Sequence, residues 1–394
     1  MLSFSQSYVE KLPTGIPGFD HIAKGGLPKN RTTLISGTSG SAKTVFAVQF
    51  LSAGIINSNE SGVFVTFEES PSDIRKNSLS LGFDIAQWEA EGRWVFVDAS
   101  PQIGESPFES GSYDLGALLA RIEYAIRKIQ AKRVSIDSLG AIFNQLSHRI
   151  TIRRELHRIA NAIKKLGVTC LMTAERTQEY GAIARFDVEE FVADNVIILR
   201  NVLDEEKRRR TIEILKFRGT DHQKGEYPFT IIPNEGIVII PLSAIELKQR
   251  SSDYRVSSGN PDLDKMCGGG FFRDSIVLVS GATGTGKTLM VTEFMAKSGQ
   301  DEKCLLFAFE ESREQLFRNA RGWGINFEKL EDNGRLKVVC EYPEVMGLED
   351  HLIKIKEIIR DFKPNRVAID SLSALERVST AKGFREFVIG LTSY

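Results

Sequence analysis

Gly281-Ala-Thr-Gly-Thr-Gly286-Lys287-Thr288 is the stretch from which the fold of this chain can be predicted. It has the spacing of a phosphate-binding loop (P-loop): two glycines with four residues between them, then lysine and a hydroxyl residue. An apolar run, residues 275–280, precedes the loop and predicts a buried strand, and residues 288–297 predict a helix after it. The alternative, a chance glycine turn, is disfavoured by these flanks.

Backbone N–H groups of such a loop point at phosphate oxygens. Lys287 is predicted to reach the β- and γ-phosphates of a nucleoside triphosphate, and the Thr288 hydroxyl to bind Mg²⁺. The nucleotide contacts predicted in this loop are Thr283, Gly284, Thr285, Gly286, Lys287 and Thr288.

Length and composition set the broad class. A chain of 394 residues is long enough for two domains, and 42% hydrophobic and 26% charged residues are typical of a globular protein. The net charge of −1 gives no sign of a nucleic-acid or membrane partner. The four cysteines form no CxxC pair, and no signal peptide or long apolar run is present, so a cytoplasmic location is expected.

The same organisation occurs earlier in the chain, at Gly37-Thr-Ser-Gly-Ser-Ala42-Lys43-Thr44, with Lys43 lying 244 residues before Lys287. Two more blocks recur in the same order, Phe-Glu-Glu-Ser at 67–70 and 309–312 and an Arg-Val-x-Ile-Asp-Ser-Leu block at 133–139 and 366–372. A duplicated domain is therefore predicted: residues 1–246, a linker at 247–257, and residues 258–394. The nucleotide contacts predicted in the first loop are Thr38, Ser39, Gly40, Ser41, Ala42, Lys43 and Thr44.

One residue of the first loop departs from the motif. Ala42 stands where the pattern has glycine, and its methyl group is expected to crowd the approach of the backbone to the phosphates. Binding is expected to survive, because Lys43 and Thr44 are intact.

The predicted fold class is α/β, a tandem pair of domains with mainly parallel sheets flanked by helices. First-half strands are predicted at Thr33–Ser36, Gly62–Phe67, Trp94–Asp98, Arg133–Asp137 and Val168–Thr173, and helices at Thr44–Ile55, Pro71–Leu79, Leu115–Gln130 and Thr151–Leu166. An antiparallel extension is predicted from Asn195–Arg200, Arg210–Lys216 and Phe229–Ile232. Only 24 residues follow Asp370, so the second domain is expected to be truncated and to lack its fifth parallel strand and this extension.

An aspartate ends a matching apolar strand in each half, Asp137 and Asp370. Beside a P-loop, such an aspartate holds Mg²⁺ opposite the loop hydroxyl, here Thr44 or Thr288. A plain strand terminator is the alternative reading.

Paired glutamates follow another strand of each half: Glu68-Glu69 and Glu310-Glu311. Ligand chemistry in open α/β sheets gathers at the carboxyl ends of strands, and a carboxylate there can deprotonate an attacking hydroxyl. Neighbouring strand residues point to opposite faces, so Glu68 and Glu310 are predicted as bases, with Glu69 and Glu311 supporting them. Glu310 is also predicted to be a Mg²⁺ ligand. The alternative for both glutamate pairs is that their carboxylates stabilise a helix N-terminus.

Lys216 and Arg218 alternate along a strand and are predicted to reach a nucleotide across a subunit interface; a solvated strand edge is the alternative. The charged run at residues 204–210 is interpreted as a solvated hairpin, because its acids and bases cancel and no aromatic residues interleave. His222 follows and could touch nucleotide or be an ordinary surface residue.

The chain resembles the KaiC family of circadian clock ATPases, which have the RecA-like fold. The resemblance covers essentially the whole chain. It is carried by Val63–Glu69, Arg133–Ser138, Val188–Val202, Gly225–Thr230 and Met266–Phe272.

The resemblance implies a tandem ATPase that forms a two-ring homohexamer, with ATP and Mg²⁺ bound between subunits. It implies Glu68 and Glu310 as bases, Lys216, Arg218 and His222 as contacts to the neighbouring subunit's ATP, and further nucleotide contacts at Ser80 and Trp323. It also implies a contact with KaiB near residues 101–114 of the first domain.

The family's serine/threonine autokinase sites and its KaiA-binding tail lie beyond the last residue, and Ser371 and Ser373 are not those sites. Autophosphorylation and KaiA binding are therefore not expected of this chain. Two alternatives stay open: a recombinase- or helicase-like DNA-dependent ATPase, and a KaiC-like scaffold without a clock role that uses ATP only to assemble.

Overall fold

A computed structural model describes residues 9–100, 115–140, 149–183, 193–204, 207–240 and 251–394. The chain divides into two compact units, residues 1–244 and 245–394. None of the described helices has the length and apolar character needed to cross a membrane.

The first unit is built on a nine-stranded sheet with the order β11-β10-β9-β8-β3-β7-β6-β4-β5. Its strands are β3 (Thr32–Gly37), β4 (Gly62–Thr66), β5 (Trp94–Asp98), β6 (Arg133–Asp137), β7 (Thr169–Glu175), β8 (Asn195–Asp204), β9 (Lys207–Phe217), β10 (Glu226–Ile232) and β11 (Gly236–Ile239). A short antiparallel pair, β1 (Lys11–Leu12) and β2 (Leu27–Pro28), lies outside it.

Strand directions place the carboxyl ends of six strands at one edge of this sheet. Strands β3 to β8 run parallel to their neighbours, so that Gly37 pairs with Glu175 and Thr66 pairs with Asp137. The prediction that Asn195–Arg200 belongs to an antiparallel extension was wrong at this strand, because β8 pairs with β3 in parallel. The antiparallel part begins only with β9 and continues through β10 and β11.

Helices cover both faces of the sheet, as continuous apolar strands require. On β3, Leu34 faces one apolar cluster and Ile35 faces the other. The helices of the unit are α1 (Phe19–Ile22), α2 (Lys43–Ser58), α3 (Pro71–Leu79), α4 (Ile85–Ala90), α5 (Leu115–Ile129) and α6 (Arg149–Lys165). The apolar residues of α5 and α6 pack on the Leu34 side, and α2 packs on the Ile35 side.

The second unit repeats only part of this pattern in the described residues 251–394. Strands β14 (Cys304–Ala308), β15 (Leu336–Cys340) and β16 (Arg366–Asp370) form a parallel sheet with the order β15-β14-β16. A second pair joins β12 (Arg255–Val256) to β13 (Phe271–Phe272), so residues assigned to the linker pair with the second unit. The helices are α7 (Pro261–Met266), α8 (Lys287–Ala296), α9 (Arg313–Gly322), α10 (Phe327–Asp332), α11 (Leu348–Phe362), α12 (Leu372–Arg377) and α13 (Ala381–Thr392), with a 3₁₀ turn at Pro343–Val345.

The predicted strand at residues 275–280 does not form. These residues carry no strand assignment, and Ile276 and Leu278 are 64% and 77% exposed. The corresponding strand of the first unit, β3, lies between β7 and β8, and residues 251–394 contain no strand in either of those positions. The apolar run therefore has neither backbone partners nor a covering face, and its pattern alone does not make it a strand.

Candidate nucleotide-binding site

The P-loop of the first unit connects β3 to α2 at the carboxyl edge of the sheet. Lys43 Nζ donates hydrogen bonds to the carbonyl oxygens of Gly37, at 3.0 Å, and Thr38, at 2.8 Å. Ser41 Oγ donates to the same Thr38 oxygen at 2.8 Å. The lysine side chain thus lies along the inside of its own loop, and the carbonyl of Thr38 holds two side chains at once.

Burial lowers the pKa of the Lys43 ammonium from its ordinary value. The carboxylates of Glu175, Asp137, Glu68 and Glu179 act in the opposite direction and raise it. Phosphate groups placed against this lysine would meet a desolvated cation, which strengthens their electrostatic attraction.

Ala42 is the residue before α2 and adopts a left-handed backbone conformation with φ 73°. Its counterpart Gly286 adopts the same conformation, with φ 88°. Ala42 packs against the apolar cluster on the α2 side of the sheet. The substitution therefore acts first on the backbone, since a side chain at positive φ costs about 1–2 kcal/mol.

Thr44 and Asp137 lie together, as the sequence predicts. Thr44 Oγ1 donates to Asp137 Oδ2 at 2.6 Å, and the hydroxyl of Thr173 on β7 donates to Asp137 Oδ1. A hydroxyl of the P-loop and a carboxylate from the neighbouring strand end are the pair that holds Mg²⁺ beside nucleotide phosphates.

The two glutamates of the first unit occupy different surroundings. Glu68 Oε1 accepts a hydrogen bond from Ser138 Oγ at 3.1 Å, next to Asp137. Glu69 Oε1 accepts from Asn77 Nδ2 of α3 at 2.7 Å, and burial raises the pKa of Glu69. Glu68 therefore faces the Asp137 end of β6, and Glu69 is held by the following helix.

The loop of the second unit has the same internal contacts in an exposed setting. Lys287 Nζ donates to the carbonyl oxygens of Gly281, at 2.9 Å, and Ala282, at 3.0 Å. Residues 281–286 are exposed, whereas Ser41 of the first loop is buried. Thr288 makes no hydrogen bond to Asp370 within residues 251–394, in contrast to Thr44 and Asp137.

The acidic pair of the second unit repeats the arrangement of the first. Ser371 Oγ donates to Glu310 Oε2 at 2.8 Å, and Asn319 Nδ2 donates to Glu311 Oε2 at 3.4 Å. Arg377 adds an ion pair to Glu310. The Ser371 hydrogen bond, followed by Arg377, lowers the pKa of Glu310, while burial raises the pKa of Glu311.

Lys216, Arg218 and His222 do not reach the P-loop of their own unit. Strand β9 runs against β8, so Lys216 pairs with Val196 and Phe217 with Asn195. Asn195 pairs in turn with Thr33, four residues before Gly37, which corresponds to about 13 Å along the strand. Lys216 and Arg218 therefore lie beside the amino ends of the parallel strands, whereas the P-loop lies at their carboxyl ends.

At those amino ends, Lys216 Nζ donates to the Ala193 oxygen at 3.0 Å, and Arg218 forms an ion pair with Asp194 at 3.3 Å. The Arg218 side chain is 60% exposed. His222 Nδ1 is buried without a hydrogen-bond partner among the described residues, and burial lowers the pKa of the ring.

Ser80 and Trp323 are the residues that follow corresponding helices, α3 and α9. Ser80 is exposed, and its hydroxyl donates to the Asn77 oxygen at 2.7 Å. Trp323 is 41% exposed. Asn77, three residues before Ser80, is the side chain that holds Glu69, so Ser80 lies at the end of the helix that contacts this glutamate.

Two groups of residues beside the site were missed by the sequence analysis. The first contains the partners of the glutamates, which recur at matching positions: Ser138 and Ser371 after the aspartates, and Asn77 and Asn319 eight residues after the second glutamates. The second is the polar segment that follows β7. It borders an open cleft of about 720 Å³ beside the P-loop, lined by Thr38, Ser39, Gly40, Glu175, Arg176, Thr177, Gln178, Glu179, Asn201 and Arg208.

The residues present fit a magnesium nucleotide. Within the described residues, no three His, Cys, Asp or Glu side chains come together as a protein-only metal site. Mg²⁺ bound with a nucleotide needs few protein ligands, because phosphate oxygens and water supply the others. The Thr44 hydroxyl and the Asp137 carboxylate would supply such ligands, and the Lys43 ammonium, which has no lone pair for a metal ion, would pair with the phosphates.

A parallel sheet with a P-loop after one strand, an aspartate at the end of another and a glutamate beside it defines a P-loop nucleoside triphosphatase. The fold is that of tandem RecA-like domains. A family model described as "ATPase: KaiC" matches residues 12–244 and 256–394. The chain belongs to the KaiC ATPase family.

Relatives agree with this family. The chain is 68% identical over 387 residues to "Circadian clock protein KaiC3" of Synechocystis sp. (strain ATCC 27184 / PCC 6803 / Kazusa), covering 98% of this chain and 76% of that protein. It is 60% identical over 391 residues to "Circadian clock oscillator protein KaiC" of Thermostichus vulcanus, covering 99% of this chain and 75% of that protein.

Proposed function

We propose that this chain binds ATP with Mg²⁺ at the P-loop of each unit and hydrolyses it slowly, as a clock or signalling ATPase that assembles into a ring. The observation that carries the proposal is the group of side chains in the first unit. The Thr44 hydroxyl donates to Asp137 at 2.6 Å, and Glu68 accepts a hydrogen bond from Ser138, the residue after Asp137.

The residues of the first unit have separate roles in this proposal. Lys43 and the loop N–H groups bind the phosphates, and Thr44 and Asp137 hold Mg²⁺, which neutralises charge on the phosphates when bound. Glu68 orients the attacking water and accepts its proton. Glu69, held by Asn77, ties the segment after β4 to the C-terminal half of α3.

Hydrolysis is assigned mainly to the first unit. In the second unit, Glu310 is engaged by Ser371 and Arg377, and Thr288 is not hydrogen-bonded to Asp370. Lys287 supports ATP binding there, and turnover is expected to be weaker.

Ring assembly is part of the proposal, and the position of the polar residues at and after the end of β9 supports it. Lys216, Arg218 and His222 lie at the edge opposite their own P-loop. In the proposed homohexamer they contact the ATP of the neighbouring subunit, where a cation stabilises the charge of the transition state.

The test is ATP turnover by the full chain in a Lys287→Ala background, which confines hydrolysis to the first unit. Glu68→Gln is expected to abolish turnover and to retain ATP binding, whereas Lys43→Ala is expected to lose both. Turnover undiminished in Glu68→Gln would overturn the assignment of the base.

Two further parts of the proposal concern partners. Contact with KaiB is proposed for the first unit, although the loop at residues 101–114 lies outside the described residues.

The same turnover assay with added single-stranded DNA addresses the DNA-dependent alternative: an unchanged rate supports the clock-type ATPase, and stimulation would favour the alternative.

A further inference from the structure

The segment that follows β7, residues 176–183, is tied to the first P-loop by several contacts. The Arg176 N–H donates to the Gly37 oxygen at 3.0 Å, and the Ser36 hydroxyl donates to the Ile183 oxygen. Thr38 Oγ1 donates to Glu179 Oε1 at 2.6 Å. The last contact joins the segment directly to a P-loop side chain.

Glu179 is itself fixed from the other side. Its second oxygen, Oε2, accepts from the Asn201 N–H at 3.0 Å, and its backbone oxygen accepts from Arg200 Nε at 3.3 Å. Arg200 is buried and forms an ion pair with Glu213 at 2.6 Å. Both oxygens of the carboxylate are thus used, and one of them rests on β8, a rigid strand of the sheet.

The turn around Glu179 is held by a second buried arginine. Arg176 is 4% exposed and donates to the carbonyl oxygens of Ala182, at 3.0 Å, and Gly181, at 3.2 Å. The segment therefore has a defined shape of its own. A chain of contacts runs from β8 through Glu179 and Thr38 to Lys43, whose ammonium contacts the Thr38 oxygen.

We propose that Glu179 is a positioning residue for the first ATP site: through the Thr38 hydroxyl it holds the P-loop in its phosphate-binding shape before the nucleotide arrives. This inference rests on the proposed ATP binding by the first unit. A preorganised loop loses less conformational freedom on binding, and the gain appears as affinity.

The P-loop of the second unit lacks this contact. Ala282 occupies the position of Thr38, and it has no hydroxyl to donate. The backbone contacts of its lysine are kept, at 2.9 and 3.0 Å, but the loop is exposed. The Thr38–Glu179 hydrogen bond is therefore an addition of the first unit to a loop geometry that both units share.

The experiment measures binding of a fluorescent ATP analogue with Mg²⁺ to the full chain in the Lys287→Ala background. Thr38→Val removes the hydroxyl, and Glu179→Gln removes the charge and one of the two accepting oxygens. Each is expected to weaken affinity about tenfold, or about 1.4 kcal/mol, because the hydrogen bond is charge-assisted. Since both changes break the same hydrogen bond, the double variant should bind the analogue no more weakly than the weaker-binding single variant.

Three comparisons separate positioning from a purely structural role. Thr38→Ser, which keeps the hydroxyl, should bind within about twofold of the parent. The matched control Glu123→Gln, a carboxylate-to-amide change on the exposed face of α5, should do the same. In steady-state hydrolysis the loss of ATP affinity should appear as a higher KM. The value of kcat at saturating ATP should be largely kept, because bound phosphates themselves hold the P-loop in its binding shape.

Several results would overturn the inference: affinities of Thr38→Val and Glu179→Gln within twofold of the parent, effects that add in the double variant, or a lower melting temperature without a change in affinity. Should Glu179→Gln not fold, the comparison of Thr38→Val with Thr38→Ser decides. If Lys43→Ala binds the analogue as well as its parent, the proposed site fails instead, which is a distinguishable outcome.

Discussion

At the scale of single residues, the first P-loop differs from the second chiefly at Ala42 and Thr38. The sequence predicts that Ala42 crowds the phosphates, whereas the structure places it against the apolar cluster beside α2 with a left-handed backbone. Backbone dihedral angles cannot be read from a residue name, so the physical effect of this substitution became visible only in the structure.

Ala42→Gly is expected to stabilise the first unit by about 0.5–1 kcal/mol, because relief of the positive φ exceeds the loss of a half-buried methyl group. The reverse change, Gly286→Ala, should destabilise the second unit by about 1 kcal/mol. No atom lies within 4 Å of a Cβ built at Gly286, so backbone strain acts there alone. Denaturant unfolding measures both, and a destabilising Ala42→Gly would show that methyl packing dominates.

His222 gives a pH-dependent prediction. Burial lowers the pKa of its ring in the folded chain, so the neutral form is favoured there relative to the unfolded chain. Its contribution to stability is present above about pH 6.5 and is lost as the pH falls through the lowered pKa. NMR titration of the ring should give a midpoint below 6.5, and His222→Gln should flatten the acid side of the stability profile. A midpoint above 6.5 would contradict this reasoning.

At the scale of secondary-structure elements, both units use the same buried arginine at the start of the aspartate strand. Arg133 Nε contacts Glu60 at 2.7 Å and Arg133 Nη1 donates to the Phe50 oxygen at 3.0 Å. Arg366 makes the same contacts with Glu302 and Phe294, each at 2.9 Å. Each arginine ties the aspartate strand to the helix that begins with the P-loop lysine.

Arg133→Ala is expected to cost about 3–5 kcal/mol, because it leaves Glu60 and a buried carbonyl without their partner. Arg127→Ala, which removes an exposed ion pair with Glu123, is the matched control and should cost no more than about 0.5 kcal/mol. Thermal and denaturant unfolding of the full chain measure both. Equal effects of the two changes would mean that burial does not set the strength of this pair.

Elements with strong periodicity were predictable from sequence. The helices α5 and α6 and the strands Trp94–Asp98 and Arg133–Asp137 are confirmed, because the spacing of apolar residues that predicts them is a local property of the sequence. Pairing is not local. The direction of β8 and the fate of residues 275–280 depend on which strands lie beside them. The roles of the predicted site residues stay predictions, while the Thr44–Asp137 contact follows from motif spacing and strand order.

At the scale of the whole molecule, the two units differ in how completely their sheets enclose the P-loop strand. In the first unit β3 is central in a nine-stranded sheet, whereas residues 275–280 lie outside the three-stranded sheet of the second unit. Backbone groups in a central strand are protected from solvent, and exposed ones are not.

Hydrogen exchange should therefore separate the units. Amides of Thr32–Gly37 are expected to exchange slowly, at a rate set by global unfolding of the first unit, and amides 275–280 to exchange rapidly. Peptide-resolved mass spectrometry measures both stretches in one sample. Comparable protection of the two stretches would mean that residues 275–280 find strand partners in solution.

The position of Lys216, Arg218 and His222 at the sheet edge opposite their own P-loop has a consequence for mixed populations of chains. A chain carrying Lys43→Ala still has Lys216 and Arg218 to offer to a neighbour, and a chain carrying Arg218→Ala can still bind nucleotide. Under the proposed ring, and in the Lys287→Ala background, each variant is inactive alone, but equal mixtures regain part of the activity at interfaces that combine an intact loop with an intact arginine. The antiparallel direction of β9 therefore predicts that two defective chains complement each other.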